Sequence, residues 1–251
     1  MNAPSTAADQ DEPFVIALDG PAGSGKSTVG LGAARELGLG YFDTGLLYRV
    51  LTWLALARGV NPSDEGSLAG LIDSFDIDVD PTGRVLRSGT DITELLQQPP
   101  IDAAVSAVSA HAGVREAMRP AQRALIRPPG LVMAGRDIGT VIVPEAPLKI
   151  WLSASAVERA RRRAAQTGEA YATVLESIRR RDQFDASRSV APMNRAEDAV
   201  EIETDGMPPP SVIARIVELA QARGVPRPGQ AEAINPELDR GSRHQRRTKH
   251  R

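Results

Sequence analysis

Gly20-Pro21-Ala22-Gly23-Ser24-Gly25-Lys26-Ser27 has the G-x-x-x-x-G-K-[ST] spacing of a loop that cradles phosphate groups. The chemistry follows from the residue types. Glycines let the main chain approach an anion closely, inward N–H groups bind it, and the positive end of the following helix dipole attracts it. Gly20 to Thr28 would form the nucleotide-binding segment. Lys26, read as a solvent-facing ligand group, would reach the outer phosphates, and Ser27 would ligate Mg²⁺. The flanks agree with this, because Phe14-Val15-Ile16-Ala17-Leu18 is a β-prone apolar run and Thr28 to Leu37 has helical composition. The lysines of the chain are Lys26, Lys149 and Lys249, so one falling at the required position carries weight.

Arginine supplies the other clusters. Arg136-Asp137 directly follows an apolar run, the place where a parallel-sheet nucleotide protein presents groups to its ligand. Arg179-Arg180-Arg181-Asp182 leads through Asp185 to Arg188, and Arg159, Arg161, Arg162 and Arg163 crowd one helical stretch. Helical spacing cannot aim all four of the latter at one point, so some are solvated surface. Beside a phosphate loop such clusters suit phosphoryl transfer, in which cations surround the moving group and the guanidinium fork matches phosphate oxygens. Histidine is scarce, and only His111 lies in the body of the chain, within an Ala/Ser-rich helical run that marks it as a solvated or core-edge residue.

The elements that must position these residues read as α/β. With 251 residues and 41% hydrophobic content the chain can bury a sizeable core. A net charge of -2 gives no reason to coat nucleic acid or an anionic membrane, so neither is an expected partner. The absence of cysteine excludes a disulfide framework and a thiolate site and suits a cytoplasmic location. Residues 1–13 lack the basic start and apolar run of a signal peptide and read as a disordered extension. Tyr41 to Gly45 reads as strand and turn, followed by a helix from about Leu46 to Arg58. Phe75 to Asp80 and Arg84 to Arg87 alternate around Pro81-Thr82-Gly83 as an inserted antiparallel hairpin. One helical pattern then runs from about Ile101 to Ile126. Leu131 to Ala134 and Leu148 to Leu152 read as buried strands, with an Arg-rich helical stretch from Ala156 to Arg181, a last strand near Ala199 to Thr204 and a closing helix from Ser211 to Arg223. The whole predicts a doubly wound parallel sheet of P-loop NTPase type, with ligands at the carboxyl ends of its strands. From residue 226 onward periodicity gives way to a basic tail, read as disordered.

Asp19 through Thr28, Asp43-Thr44-Gly45 with Tyr48-Arg49, Gly135-Arg136-Asp137-Ile138-Gly139-Thr140, and Arg181-Asp182 with Asp185 and Arg188-Ser189-Val190-Ala191-Pro192 together resemble the bacterial cytidylate kinases. The resemblance spans about Phe14 to Arg223. It implies a kinase domain over 14–225 that transfers the γ-phosphoryl group of ATP, with Mg²⁺, to CMP or dCMP; a monomer is expected, although the sequence does not give the oligomeric state. It also implies a nucleoside-monophosphate insert at about 60–104 and a helical lid at about 155–182. By the same resemblance Arg49, Arg136 and Arg188 would hold the acceptor phosphate with Thr44 beside it, and Arg181 with Asp185 would bind the sugar. Ser106, Arg115 and Asp137 would read cytosine, while Arg159 and Arg163 would close from the lid over the transferring group. The chain departs from the family at Ala134, where relatives usually carry a carboxylate. If that carboxylate orders Mg²⁺ through water, its duty here is lost or passes to Asp19. Other small phosphate-loop kinases, such as shikimate or dephospho-coenzyme A kinases, share the first motif without the later ones. A switch GTPase would require an Asn-Lys-x-Asp guanine reader, which the sequence lacks, and a nucleic-acid module would rest on Arg240 to Arg251 alone.

Overall fold

Successive residues of the first strand, β1 (Phe14–Asp19), enter different cores: Val15 and Ala17 join one apolar cluster, Ile16 and Leu18 the other. This alternation is what a strand covered on both faces requires. It is seen in a computed structural model that describes residues 12–186 and 193–225. The chain continues through α1 (Lys26–Leu37), β2 (Gly40–Asp43), α2 (Gly45–Ala57) and α3 (Glu65–Ile72) into three short strands, β3 (Asp78–Val79), β4 (Val85–Arg87) and β5 (Thr90–Asp91). After a 3-10 turn at Leu95–Gln97 come α4 (Pro99–Val108), α5 (Ala112–Arg123) and β6 (Gly130–Gly135). A π-helical turn at Ile138–Ile142 follows, then β7 (Leu148–Ser153), α6 (Ala156–Thr167), α7 (Tyr171–Ala186), β8 (Val200–Glu203) and α8 (Pro209–Gln221).

The central sheet has the order β2-β6-β1-β7-β8 with every pairing parallel. β1 is therefore flanked by β6 and β7, and its carboxyl end is the middle of the site. One face of the sheet packs on α1 and α8, the other on α2, α3, the insert and α5. The inserted strands form a separate antiparallel sheet, β3-β4-β5, so the expected hairpin gains a third strand. Its turn lies against the main sheet, since the Tyr41 N–H in β2 donates to the Pro81 carbonyl at 3.1 Å.

Two helical expectations are corrected. The helix expected over 101–126 is two, α4 and α5, separated at Ser109–His111, and His111 sits at the start of α5 with Nε2 2.9 Å from the Pro62 carbonyl. The Arg-rich helix expected over 156–181 is likewise two: α6 ends at Gly168, whose φ of 73° closes the helix and cannot continue it, and α7 extends to Ala186. The segment after β6 winds into the π-helical turn. Residues 1–11, 187–192 and 226–251 lie outside the described residues, and with them the expectations for both termini and for Arg188.

Candidate functional site

The phosphate loop joins β1 to α1. Gly20 has φ of 151°, and a Cβ there would stand 2.2 Å from the Leu152 carbonyl oxygen, so the loop can leave the sheet this tightly only with glycine. Gly25 precedes α1 without a capping side chain, and the first turn of α1 carries no acid. The N–H groups at this helix start are thus left for an anion. Ser24 Oγ is buried with no hydrogen-bond partner among the described residues. Lys26 is 9% exposed, which corrects its expected solvent-facing placement. It donates to the carbonyls of Gly20 and Pro21, both at 2.8 Å. Burial, then the nearby Arg136 guanidinium, lower its pKa to about 7 against the pull of Asp43 and Asp19, with Arg181 lowering it further. The structure thus gathers Lys26, Arg136 and Arg181, named from separate motifs, into one field.

Across from the loop, the carboxyl end of β6 presents Asp137. Its carboxylate receives the Arg115 guanidinium at 2.6 Å, and both side chains are almost wholly buried. Arg115 also donates to the Ser109 carbonyl at 3.2 Å and lies over the Tyr48 ring, 5.5 Å from its centroid. These groups, with Ala112, Glu116, Arg119, Val141 and Ile142, line a cavity of about 330 Å³. Thr44 is buried at the head of α2, where its hydroxyl donates to the Ala134 carbonyl at 3.0 Å. Arg136 lies beside Met193, Nη1 to Sδ 3.3 Å. Arg49 turns to the insert, donating to the Leu96 carbonyl at 2.8 Å and pairing with Asp102 at 2.6 Å. Ser106 is half-buried on α4 and does not line the cavity.

From the other side α6 and α7 reach the loop through Arg159. Its guanidinium donates to Ala154 and to Ala22 of the phosphate loop, and it takes Asp182 of α7 by two bonds of 2.9 and 2.6 Å. Arg159 is a tie between helices and loop. Arg163 and Arg181 are exposed, and Asp185 falls in the last turn of α7. Arg161 and Arg162 both pair with Glu158, whose carboxyl they hold near a pKa of about 2.

For the carboxylate absent at Ala134, the sequence leaves its duty either lost or passed to Asp19. Asp19 points to the face of the sheet opposite Ala134, and its two oxygens accept the N–H groups of Ile138 and Gly139, each at 2.8 Å. Asp43 is in register with Ala134 on the neighbouring strand and shares its face, and its Oδ2 lies 3.5 Å from Ser27 Oγ. Ser27 and Asp43 are hard oxygen donors, a set that fits Mg²⁺. Asp43 was not singled out as a candidate Mg²⁺ donor because its motif alone does not tell which face its carboxylate takes; its place at a strand's carboxyl end was the available signal.

A model of the cytidylate kinase family matches residues 16–222. The chain belongs to this family. Cytidylate kinase from Bacillus licheniformis is 40% identical over 222 residues, covering 85% of this chain and 98% of that protein. A bifunctional pantoate ligase/cytidylate kinase from Synechococcus sp. (strain CC9902) is 44% identical over 219 residues, covering 83% of this chain and 45% of that one. The chain thus spans less than half the length of the bifunctional relatives. Shikimate kinase from Bacteroides thetaiotaomicron aligns over 83% of this chain and 98% of its own at 16% identity and a TM-score of 0.42. No helix among the described residues is long and apolar enough to cross a membrane.

Proposed function

We propose that this cytidylate kinase family member transfers the γ-phosphoryl group of ATP to CMP or dCMP, releasing ADP and CDP or dCDP. The observation that carries the reading is the buried Asp137–Arg115 pair walling a cavity across the sheet end from the phosphate loop. A carboxylate there accepts from the cytosine N4 amino group and repels the O4 of uracil. The donor nucleotide takes the loop N–H groups, Ser24 and Lys26, with Gly20 to Thr28 around its phosphates. The acceptor phosphate falls to Arg136, Arg188 and Arg49, the last after leaving Asp102, with Thr44 beside it. Arg181 and Asp185 hold the sugar.

Ser27 and Asp43 would hold Mg²⁺, which when bound offsets charge on the outer phosphates. The acceptor phosphate is already anionic near neutral pH, so the protein needs no general base; it aligns two anions and neutralises them. The α6–α7 pair, tied to the loop through Arg159, excludes water, with Arg163 the arginine left to swing inward. A coupled assay with ATP·Mg and CMP, dCMP, UMP, AMP or shikimate tests the reading. Turnover of CMP and dCMP well above the rest is expected, and equal or better use of shikimate or AMP would sink it.

A further inference from the structure

The π-helical turn at Ile138–Ile142 begins without its own cap. Asp137 occupies the capping position, and aspartate there ordinarily accepts the first free N–H groups of the turn it precedes. Here it makes no such bond, because its carboxylate is turned to Arg115. The N–H groups of Ile138 and Gly139 go instead to the two oxygens of Asp19, the last residue of β1 and the one before the phosphate loop. β1 and β6 lie side by side with Asp19 level with Gly135, so this carboxylate stands where it can cap the neighbouring strand's turn.

We propose that Asp19 is a positioning residue that caps this turn from another strand, and so leaves Asp137 to face Arg115 and the base of the acceptor nucleotide. The inference rests on the reading above that Asp137 recognises cytosine. Without Asp19, two buried N–H groups lose their acceptor, and Asp137, at the turn's own capping position, can replace it only at the expense of its bond to Arg115. The damage falls on the acceptor side. The phosphate loop keeps its bond from Arg159 to Ala22 and its turn bond from the Ser24 N–H to the Pro21 carbonyl.

The charge state of Asp19 gives the role a signature. Burial raises its pKa to about 6 despite the two amide bonds that lower it; Asp137 in the turn raises it and Lys26 in α1 lowers it. From β7, Lys149 packs against the same Gly139, with its charge paired to Asp198. A protonated Asp19 offers a hydrogen toward a donor and loosens the cap.

Asp19→Ala removes both acceptors, and Asp19→Asn keeps the shape but sets an amide donor against one of the two N–H groups. Steady-state kinetics with ATP·Mg and either CMP or UMP, with thermal unfolding as a control, separates the outcomes. Expected for both variants is a rise in KM for CMP of about tenfold or more, a KM for ATP changed by less than about threefold, and a reduced preference for CMP over UMP. In the wild type the affinity for CMP should weaken as pH falls through about 6 beyond the titration of the nucleotide's own phosphate, and Asp19→Asn should lose that extra component. Variants that keep the wild-type KM for CMP, lose affinity for CMP and ATP alike, or fail to fold in both forms overturn the positioning role. A wild type that binds ATP but phosphorylates neither CMP nor dCMP overturns the proposed function and this role with it. An active wild type with insensitive variants overturns this role alone.

Discussion

Lys26 is a cation held where a cation is costly. Burial lowers its ligand-free pKa to about 7, so the neutral form gains on the ammonium above neutrality. Bound ATP phosphates favour the charged form. ATP binding at mildly alkaline pH should therefore take up protons, read by calorimetry in buffers of different ionisation enthalpy, and Lys26→Met should abolish the uptake. The same shift makes the ligand-free protein more stable as pH rises from about 7 toward 10.5, because across that window the unfolded chain binds the extra proton. Asp137→Asn belongs to the same scale. It should lower kcat/KM for CMP relative to UMP by about ten- to a hundredfold, and an unchanged ratio would assign Asp137 to loop structure alone. The loop residues were legible because their spacing is rigid and local. Asp43 and the capping use of Asp19 were not, since which face of a strand a carboxylate takes, and which amides it meets, depend on the neighbouring strand.

Among the elements, α6 and α7 show what periodicity leaves out. Their arginine content was plain from sequence, and the break at Gly168 was available as a helix-ending residue. The arrangement of the two helices side by side, with Arg159 spanning from one to the other and to the phosphate loop, is a tertiary fact. Asp182→Ala should leave the buried Arg159 without its carboxylate. With Asp182 partly solvated, the expected loss is about 1–2 kcal/mol in thermal unfolding, with a larger rise in KM for ATP than for CMP. Equal effects on both substrates would separate the tie from the donor side. The split of the 101–126 region into α4 and α5 was hidden for a related reason. Ala- and Ser-rich sequence runs through the break at Ser109–His111, and the contact from His111 to Pro62 that marks it comes from 49 positions away.

At the scale of the molecule, the parallel architecture was readable, since buried strands alternating with helices leave few ways to pack. The strand order and the third insert strand came only with the fold, because both depend on pairings between distant segments. Val225 closes the apolar cluster beneath α8. A chain ending there, without 226–251, should keep its melting temperature and its kcat/KM for CMP; a clear drop in either would mean that the basic tail docks on the domain.

The bond from Tyr41 to Pro81 has a further consequence for solubility. The main sheet has two open borders, β2 and β8. At β8 the strand is short and places Glu201 and Glu203 in solvent, a charged border that discourages another chain from adding itself. β2 has no such charges along Tyr41 and Phe42, and the turn of the insert lies across it instead. The insert is then a shield for a sticky strand. Trimming it to make a smaller catalyst should yield a protein that self-associates before it can be assayed, visible as early elution on size exclusion.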